Sequence, residues 1–184
     1  MITINRQSGW LEGEVRRVPS PNCDARAAGE VVDLLVVHNI SLPPGVFGGP
    51  HIDALFTNTL DESGHPYFKQ IAGLKVSAHL LIRRDGELVQ YVPFTQRAWH
   101  AGISCFEGRD RCNDFSIGIE LEGDDLQGYE SLQYRRLAEI TRLLMEAFPG
   151  ITPQRIAGHC DIAPQRKSDP GPHFDWSYFH LLLV

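Results

Sequence analysis

The sequence has no run of apolar residues long enough to cross a membrane, because no window approaches the roughly 18 apolar residues that such a span needs. Its opening stretch, MITINRQSGWLEGEVRRVPSPNCD, also lacks the apolar centre of a secretory signal. We therefore expect a protein that stays in the cytoplasm and has no membrane partner.

An excess of positive charge is also missing. The chain carries 17 Lys and Arg residues against 23 Asp and Glu residues, which gives a formal net charge of −6. A nucleic-acid-binding domain usually presents a basic surface to the phosphates. We therefore do not expect nucleic acid as a partner.

The four cysteines form no Cys-x-x-Cys pair and are unevenly spaced, at Cys23, Cys105, Cys112 and Cys160. This spacing argues against a thioredoxin-type redox site and against a cysteine-rich structural zinc site. Because disulfides are rare in the reducing cytoplasm, we expect four free thiols.

A length of 184 residues suits one domain with a single core, and 42% hydrophobic residues is ordinary for a globular protein. No internal repeat, low-complexity tract or linker divides the chain. We therefore expect one domain over residues 1–184, and nothing in the sequence requires more than a monomer.

Strand and helix patterns alternate along the chain. Val31 to Ile40 reads as a strand buried on both faces, and Ser77 to Phe94 as a hairpin with an Asp-Gly turn. Phe115 to Gly123 has alternating isoleucine and leucine, with Glu120 on the opposite face. Apolar residues at helical spacing follow up to Phe148, where Pro-Gly ends the helix. These patterns predict an α/β fold with a central mixed sheet flanked by helices.

One loop concentrates titratable groups: GHCDIAPQRKSDPG, from Gly158 to Gly171. His159 in this loop and His38 each follow or end a predicted strand, so neighbouring strands could bring them together, and Asp169 could add a carboxylate. Two imidazoles and one carboxylate suit Zn²⁺ and leave a fourth position for water. Composition alone does not select these residues, because six other histidines compete with them: His51, His65, His79, His100, His173 and His180.

Five segments, in order along the chain, resemble the zinc-dependent N-acetylmuramoyl-L-alanine amidases, a family that includes phage amidases and peptidoglycan recognition proteins. They are LLVVHNISLPPGVFGGP, KVSAHLLIRRDGELVQYVPF, RAWHAG, RCNDFSIGIELEG and GHCDIAPQRKSDPGPHFDW. The resemblance implies an amidase-like fold and one catalytic zinc ion held by His38, His159 and Asp169. It also implies that Glu120 and Lys167 form the catalytic pair.

The implied reaction is hydrolysis of the amide between anhydro-N-acetylmuramic acid and L-alanine of the stem peptide. Glu120 would move the proton of the attacking water to the departing amine, and Lys167 would stabilise the oxyanion. The implied substrate is an anhydromuropeptide, the implied process is cell-wall recycling, and β-lactamase induction is the pathway that it would influence.

Two other classes of protein remain open at this point. Some relatives of the fold bind peptidoglycan without cutting it, but such a module would be expected to lack part of the ligand set or the catalytic pair. Here the ligand set and the catalytic pair are both complete, which favours an enzyme. A structural zinc protein would be expected to show four closely spaced ligands rich in cysteine, a spacing that this sequence lacks.

Four further residues are candidates for substrate contacts. Asn39 lies beside the first histidine ligand, and Trp99 suits the face of a sugar ring. Arg111 could bind a stem-peptide carboxylate in a bidentate manner. Lys75 stands where the family usually has arginine, and lysine keeps the charge but loses the planar fork that a carboxylate clamp uses.

Overall fold

A computed structural model describes residues 1–184. The strands are short except for two of seven residues. In chain order they are β1 (Thr3–Ile4), β2 (Leu11–Glu12), β3 (Arg16–Arg17), β4 (Cys23–Ala25), β5 (Leu34–Ile40), β6 (Leu80–Ile82), β7 (Leu88–Gln90), β8 (Gln96–Ala98), β9 (Cys105–Phe106), β10 (Arg109–Asp110), β11 (Ser116–Glu122) and β12 (Ile156–Gly158).

Five α-helices accompany these strands, and only one of them is long. They are α1 (His51–Phe56), α2 (Pro66–Gln70), α3 (Ser131–Ala147), α4 (His159–Ile162) and α5 (Trp176–Leu183). In α3 the buried residues Leu137, Ile140 and Leu144 recur at helical spacing, and the helix stops before Pro149 as the sequence predicts. No helix is both long enough and apolar enough to span a bilayer.

The central sheet has six strands in the order β12-β5-β11-β6-β7-β3. β12, β5, β11 and β6 run parallel to one another. β7 pairs with β6 in the antiparallel hairpin around the Asp-Gly turn. The predicted α/β fold with a mixed central sheet is therefore confirmed.

Successive side chains of the two long strands, β5 and β11, point to opposite faces of this sheet. Leu35 and Val37 of β5, together with Ile117, Ile119 and Leu121 of β11, belong to the largest apolar cluster, which α3 and α5 cover. The opposite face carries the intervening residues, including His38 and Glu120, because successive side chains point to opposite sides of a strand. The polar side chains therefore share the face turned away from α3.

The sequence predicts loops for DESGHPYF and for AWHAG with the polar stretch through Asn113, and the structure differs in both. Asp61 to Phe68, predicted as loop, contains a 3-10 turn at Glu62–Gly64 and the start of α2. His65 begins this helix by accepting a hydrogen bond from the backbone N–H of Tyr67, and proline fits the first helical turn. The region after Trp99 forms a small hairpin of β9 and β10 instead of a simple loop.

Gln133 is a buried polar residue that ties α3 to the sheet. Its side-chain amide donates to the carbonyl oxygens of Ile82 and Glu122, at 3.2 and 3.0 Å. We predict that Gln133→Leu lowers the free energy of unfolding by about 1–3 kcal/mol, because both carbonyls lose a donor. Gln70→Leu, at an exposed position of α2, should change it by less than about 0.5 kcal/mol. Equal denaturation midpoints for the two variants would contradict this role.

Candidate active site

A cleft of about 510 Å³ opens on the sheet face that carries His38 and Glu120. This volume is in the range of pockets that bind small ligands. Its lining includes apolar residues such as Leu42 and Phe56, whereas its buried floor, at His38 and His159, is polar. The polar residues are His38, Asn39, Ser41, Ser77, His100, Glu120, Asp124, Asp125, His159, Arg166, Lys167, Ser168 and Asp169.

Three side chains meet at the floor of this cleft. The Nδ1 atoms of His38 and His159 lie 3.0 Å apart, and Asp169 Oδ2 lies 3.1 Å from the first and 3.0 Å from the second. Both imidazoles are buried. Residues separated by 131 positions in sequence thus place three potential ligand atoms in one small triangle.

The sheet and one loop create this triangle. β12 runs parallel to β5, so His159, the first residue after β12, lies beside the end of β5 where His38 is placed. The loop with Asp169 is held by two hydrogen bonds. Its carbonyl accepts from the Cys160 backbone N–H at 2.8 Å, and the Tyr129 hydroxyl donates to the carbonyl of Pro170 at 2.6 Å.

The triangle fits a single metal ion. Ligand atoms at about 2.0 Å from a tetrahedral ion are about 3.3 Å apart, close to the separations found here. Burial lowers the pKa of His38 to about 4, against the effect of Asp169, so its imidazole is neutral and has a lone pair at neutral pH. His38, His159 and Asp169 therefore form a group that could bind a metal ion.

Asp161, another carboxylate of the same loop, is engaged elsewhere. Its Oδ2 atom accepts a hydrogen bond from the backbone N–H of Gly158 at 2.7 Å. It thereby caps the start of α4, which is the usual role of an acidic residue in a first helical turn. The geometry favours Asp169 over Asp161 as the carboxylate of the group.

Glu120 lies next to the triangle because it is the register partner of His38 across β11 and β5. Its side chain is buried, and its Oε2 atom has no hydrogen-bond partner. Burial and then the nearby Asp169 carboxylate raise the pKa of Glu120 well above its ordinary value, and Lys167 opposes this rise. A carboxyl group with a raised pKa is a stronger base than an exposed one, which suits it to accept a proton.

Lys167 and Asn39 also line the cleft. Lys167 is exposed on the loop just before Asp169, so its ammonium group is accessible to a ligand in the cleft. The side-chain amide of Asn39 donates to Asp125 Oδ1 at 2.8 Å, which fixes its orientation at the rim.

The other predicted contact residues lie outside this cleft. Lys75 is exposed and borders a neighbouring smaller cavity. Trp99 is half-buried, and its backbone N–H donates to Ser77 Oγ at 3.1 Å. Arg111 has a positive φ of 63° and a largely exposed side chain, which forms an ion pair with Asp114 at 3.1 Å. The structure does not bring these three residues together with the triangle.

Sequence reasoning did not assign a role to two residues that support the triangle. His100 was only one of six competing histidines, yet its Nδ1 atom lies 2.9 Å from Nε2 of His38. Arg166 donates to the carbonyl oxygens of Ala101 and Ile103 at 2.7 and 2.9 Å. The signal available was their position inside the motifs RAWHAG and QRKSDPG.

The chain is similar in sequence to known amidases. Residues 28–172 match the family described as N-acetylmuramoyl-L-alanine amidase. The 1,6-anhydro-N-acetylmuramyl-L-alanine amidase AmpD of Escherichia coli (strain K12) is 63% identical over 177 residues, which covers 96% of each chain.

Two solved structures extend this similarity to the fold. The crystal structure of a selenomethionine AmpD derivative has a TM-score of 0.93 at 62% identity and covers 96% of this chain and 98% of that chain. The E. coli amidase AmiD, in complex with the substrate anhydro-N-acetylmuramic acid-L-Ala-D-γ-Glu-L-Lys, has a TM-score of 0.62 at 29% identity and covers 100% of this chain and 66% of that chain. The chain therefore belongs to the N-acetylmuramoyl-L-alanine amidase family.

Proposed function

We propose that this protein hydrolyses the amide bond between anhydro-N-acetylmuramic acid and the L-alanine of a stem peptide, in peptidoglycan recycling. The observation that carries the proposal is the convergence of His38, His159 and Asp169 beside an unpartnered Glu120 at the floor of a cleft. The similarity to AmpD over nearly the whole chain supports the substrate class.

We infer that the group of His38, His159 and Asp169 holds one catalytic Zn²⁺ ion. Two neutral imidazoles and one carboxylate form a ligand set that zinc hydrolases use. When bound, such an ion supplies Lewis acidity, which lowers the pKa of a water molecule and polarises a carbonyl group.

Glu120 acts in this proposal as the general base and then as the general acid. Its free Oε2 atom accepts a proton from the attacking water and passes it to the nitrogen of the departing L-alanine. The buried environment supports both steps. A carboxylate with a raised pKa accepts a proton more readily, and the resulting acid can donate it to the leaving nitrogen.

Lys167 stabilises the negative charge that develops on the carbonyl oxygen. Its ammonium group has no carboxylate partner among the ion pairs of the structure, so it is available to the substrate. A positive charge held in a cleft acts on the transition state more than on the neutral amide.

The substrate contacts, the location and the oligomeric state remain predictions from the sequence. Asn39 at the cleft rim is proposed to contact the substrate, and Lys75, Trp99 and Arg111 stay candidates for contacts farther from the reacting bond. A cytoplasmic location and a monomeric state also stay predictions, which cell fractionation and light scattering would test.

The first test is mass spectrometry of anhydromuropeptides before and after incubation with zinc-loaded protein. We expect free stem peptide and anhydro-N-acetylmuramic acid as the two products, because the lactyl-alanine amide is the bond cut. A cut at another bond would overturn the assignment. Retention of uncut muropeptide on the protein would instead support a binding module.

The second prediction concerns the metal. His38→Ala should lose zinc and hydrolysis together, because it removes one of three ligands, whereas Asp161→Ala should retain zinc. Metal analysis of the purified variants, at matched protein concentration, measures both effects. Full zinc occupancy in His38→Ala would contradict the ligand assignment.

The third prediction separates the catalytic pair from the metal. Glu120→Gln should lower kcat by roughly 10²–10⁴ and Lys167→Met by roughly 10²–10³, with zinc content unchanged and KM changed far less. Glu139→Gln on α3 and Lys69→Met on α2 are matched controls away from the cleft. A zinc-replete Glu120→Gln variant with nearly normal kcat would show that another group is the base.

A further inference from the structure

A chain of hydrogen bonds leads from the main chain to His38. The Ser116 hydroxyl lies 2.5 Å from the carbonyl oxygen of Cys112 and 3.1 Å from Nε2 of His100. The carbonyl oxygen can only accept, so the single hydrogen of the hydroxyl is donated to it. Ser116 Oγ therefore accepts the hydrogen of His100 Nε2.

The position of this hydrogen determines the next one. A neutral imidazole has one N–H donor and one acceptor nitrogen, so Nδ1 of His100 is the acceptor. It lies 2.9 Å from Nε2 of His38, which therefore donates to it. As a result, the lone pair of His38 Nδ1 faces His159 and Asp169.

Ala101, the residue after His100, fixes the hydrogen position of His159. Nε2 of His159 lies 3.1 Å from the carbonyl oxygen of Ala101, which can only accept a hydrogen. Nδ1 of His159 is therefore also without a hydrogen. Two consecutive residues, His100 and Ala101, thus orient both imidazoles of the triangle.

One side chain holds this two-residue segment. Oδ1 of Asn113 accepts hydrogen bonds from the backbone N–H groups of His100 and Ala101, at 3.1 and 2.8 Å. Asn113 makes no hydrogen bond with His38, His159 or Asp169. It begins no strand or long helix and lies in the 3-10 turn Cys112–Asp114, just before β11.

A glycine in β11 leaves room for the segment His100–Ala101. Gly118 of β11 lies under the His100 ring, and a Cβ atom built there would be 2.5 Å from His100 Cγ. The ring is therefore packed closely against the sheet, and its two nitrogens lie within hydrogen-bond distance of Ser116 and His38.

We propose that His100 and Asn113 are positioning residues of the metal site: Asn113 fixes the segment His100–Ala101, which sets the orientation and the hydrogen positions of both histidine ligands. This inference rests on the metal assignment of the proposed function. Groups that orient histidine ligands typically change metal affinity by about 10- to 100-fold when they are removed.

The test is zinc affinity of the full chain, measured by competition with a chelating dye. We expect the Kd of zinc to rise about 10- to 100-fold in Asn113→Ala and His100→Phe. Asn113→Asp should restore most of the affinity, because a carboxylate oxygen accepts the same two backbone hydrogen bonds. Unchanged affinity in Asn113→Ala would overturn the proposal.

Asn22→Leu is the matched control. Asn22 is buried and its side-chain amide donates to Asn58 and Val76 but to no residue of the triangle, so its loss should lower stability without changing zinc affinity. Equal weakening of zinc binding in Asn22→Leu and Asn113→Ala would mean general loosening and would reject the specific role. Urea unfolding of every variant separates the two effects.

A spectroscopic readout covers the case in which Asn113→Ala does not fold. Ser116→Ala removes only the hydroxyl that accepts from His100. In ¹⁵N-¹H spectra of zinc-loaded wild-type protein, we expect slowly exchanging Nε2–H signals from His38 and His100. In Ser116→Ala the His100 signal should exchange faster, and unaltered exchange would overturn the proposed relay. Wild-type protein that binds no zinc through His38 would instead reject the proposed function itself.

Discussion

The parallel pairing of β5 with β11 and β12 is the constraint on which the cleft depends. Its register sets Glu120 opposite His38 and ends β12 one residue before His159. Because side chains alternate between the faces of a strand, a slip of one residue would move His38 or Glu120 into the core under α3. The buried apolar residues of these strands therefore fix the position of the polar ones.

Small residues let the supporting groups approach the sheet closely. A Cβ atom on Gly118 would collide with the His100 ring, and one on Gly158 would lie 2.8 Å from Cδ of Pro170, the residue after Asp169. Gly118 therefore makes room for His100, which contacts the ligand residue His38, and Gly158 makes room for Pro170, which follows the ligand residue Asp169. Backbone approach at these positions determines how near the loops come to β5.

The sequence predicted the parts of the fold that follow from periodicity. β5, the hairpin of β6 and β7, β11 and α3 were predictable because their apolar residues repeat with the period of a strand or a helix. The role of His100 was not predictable in this way, since a single histidine in a loop has no periodic neighbours. Its function depends on a hydroxyl 16 residues away and a ligand 62 residues away. The ligand triangle itself required the family resemblance, because strand ends alone left six other histidines in competition.

The ligand site depends on the apolar core of the chain, whereas a small zinc domain folds only around its ion. Two of the three ligand residues lie on, or directly after, strands of a six-stranded sheet whose core is buried by α3 and α5, so the packing of that core positions them. What remains is an electrostatic cost: two lone pairs and the Asp169 carboxylate converge in a buried place, with Glu120 adjacent. A buried carboxylate without a compensating positive charge is unfavourable, and the Lys167 ammonium remains exposed at the rim. In the proposed function a divalent cation at the triangle would offset that cost, and the packing of the sheet keeps the three acceptors close together.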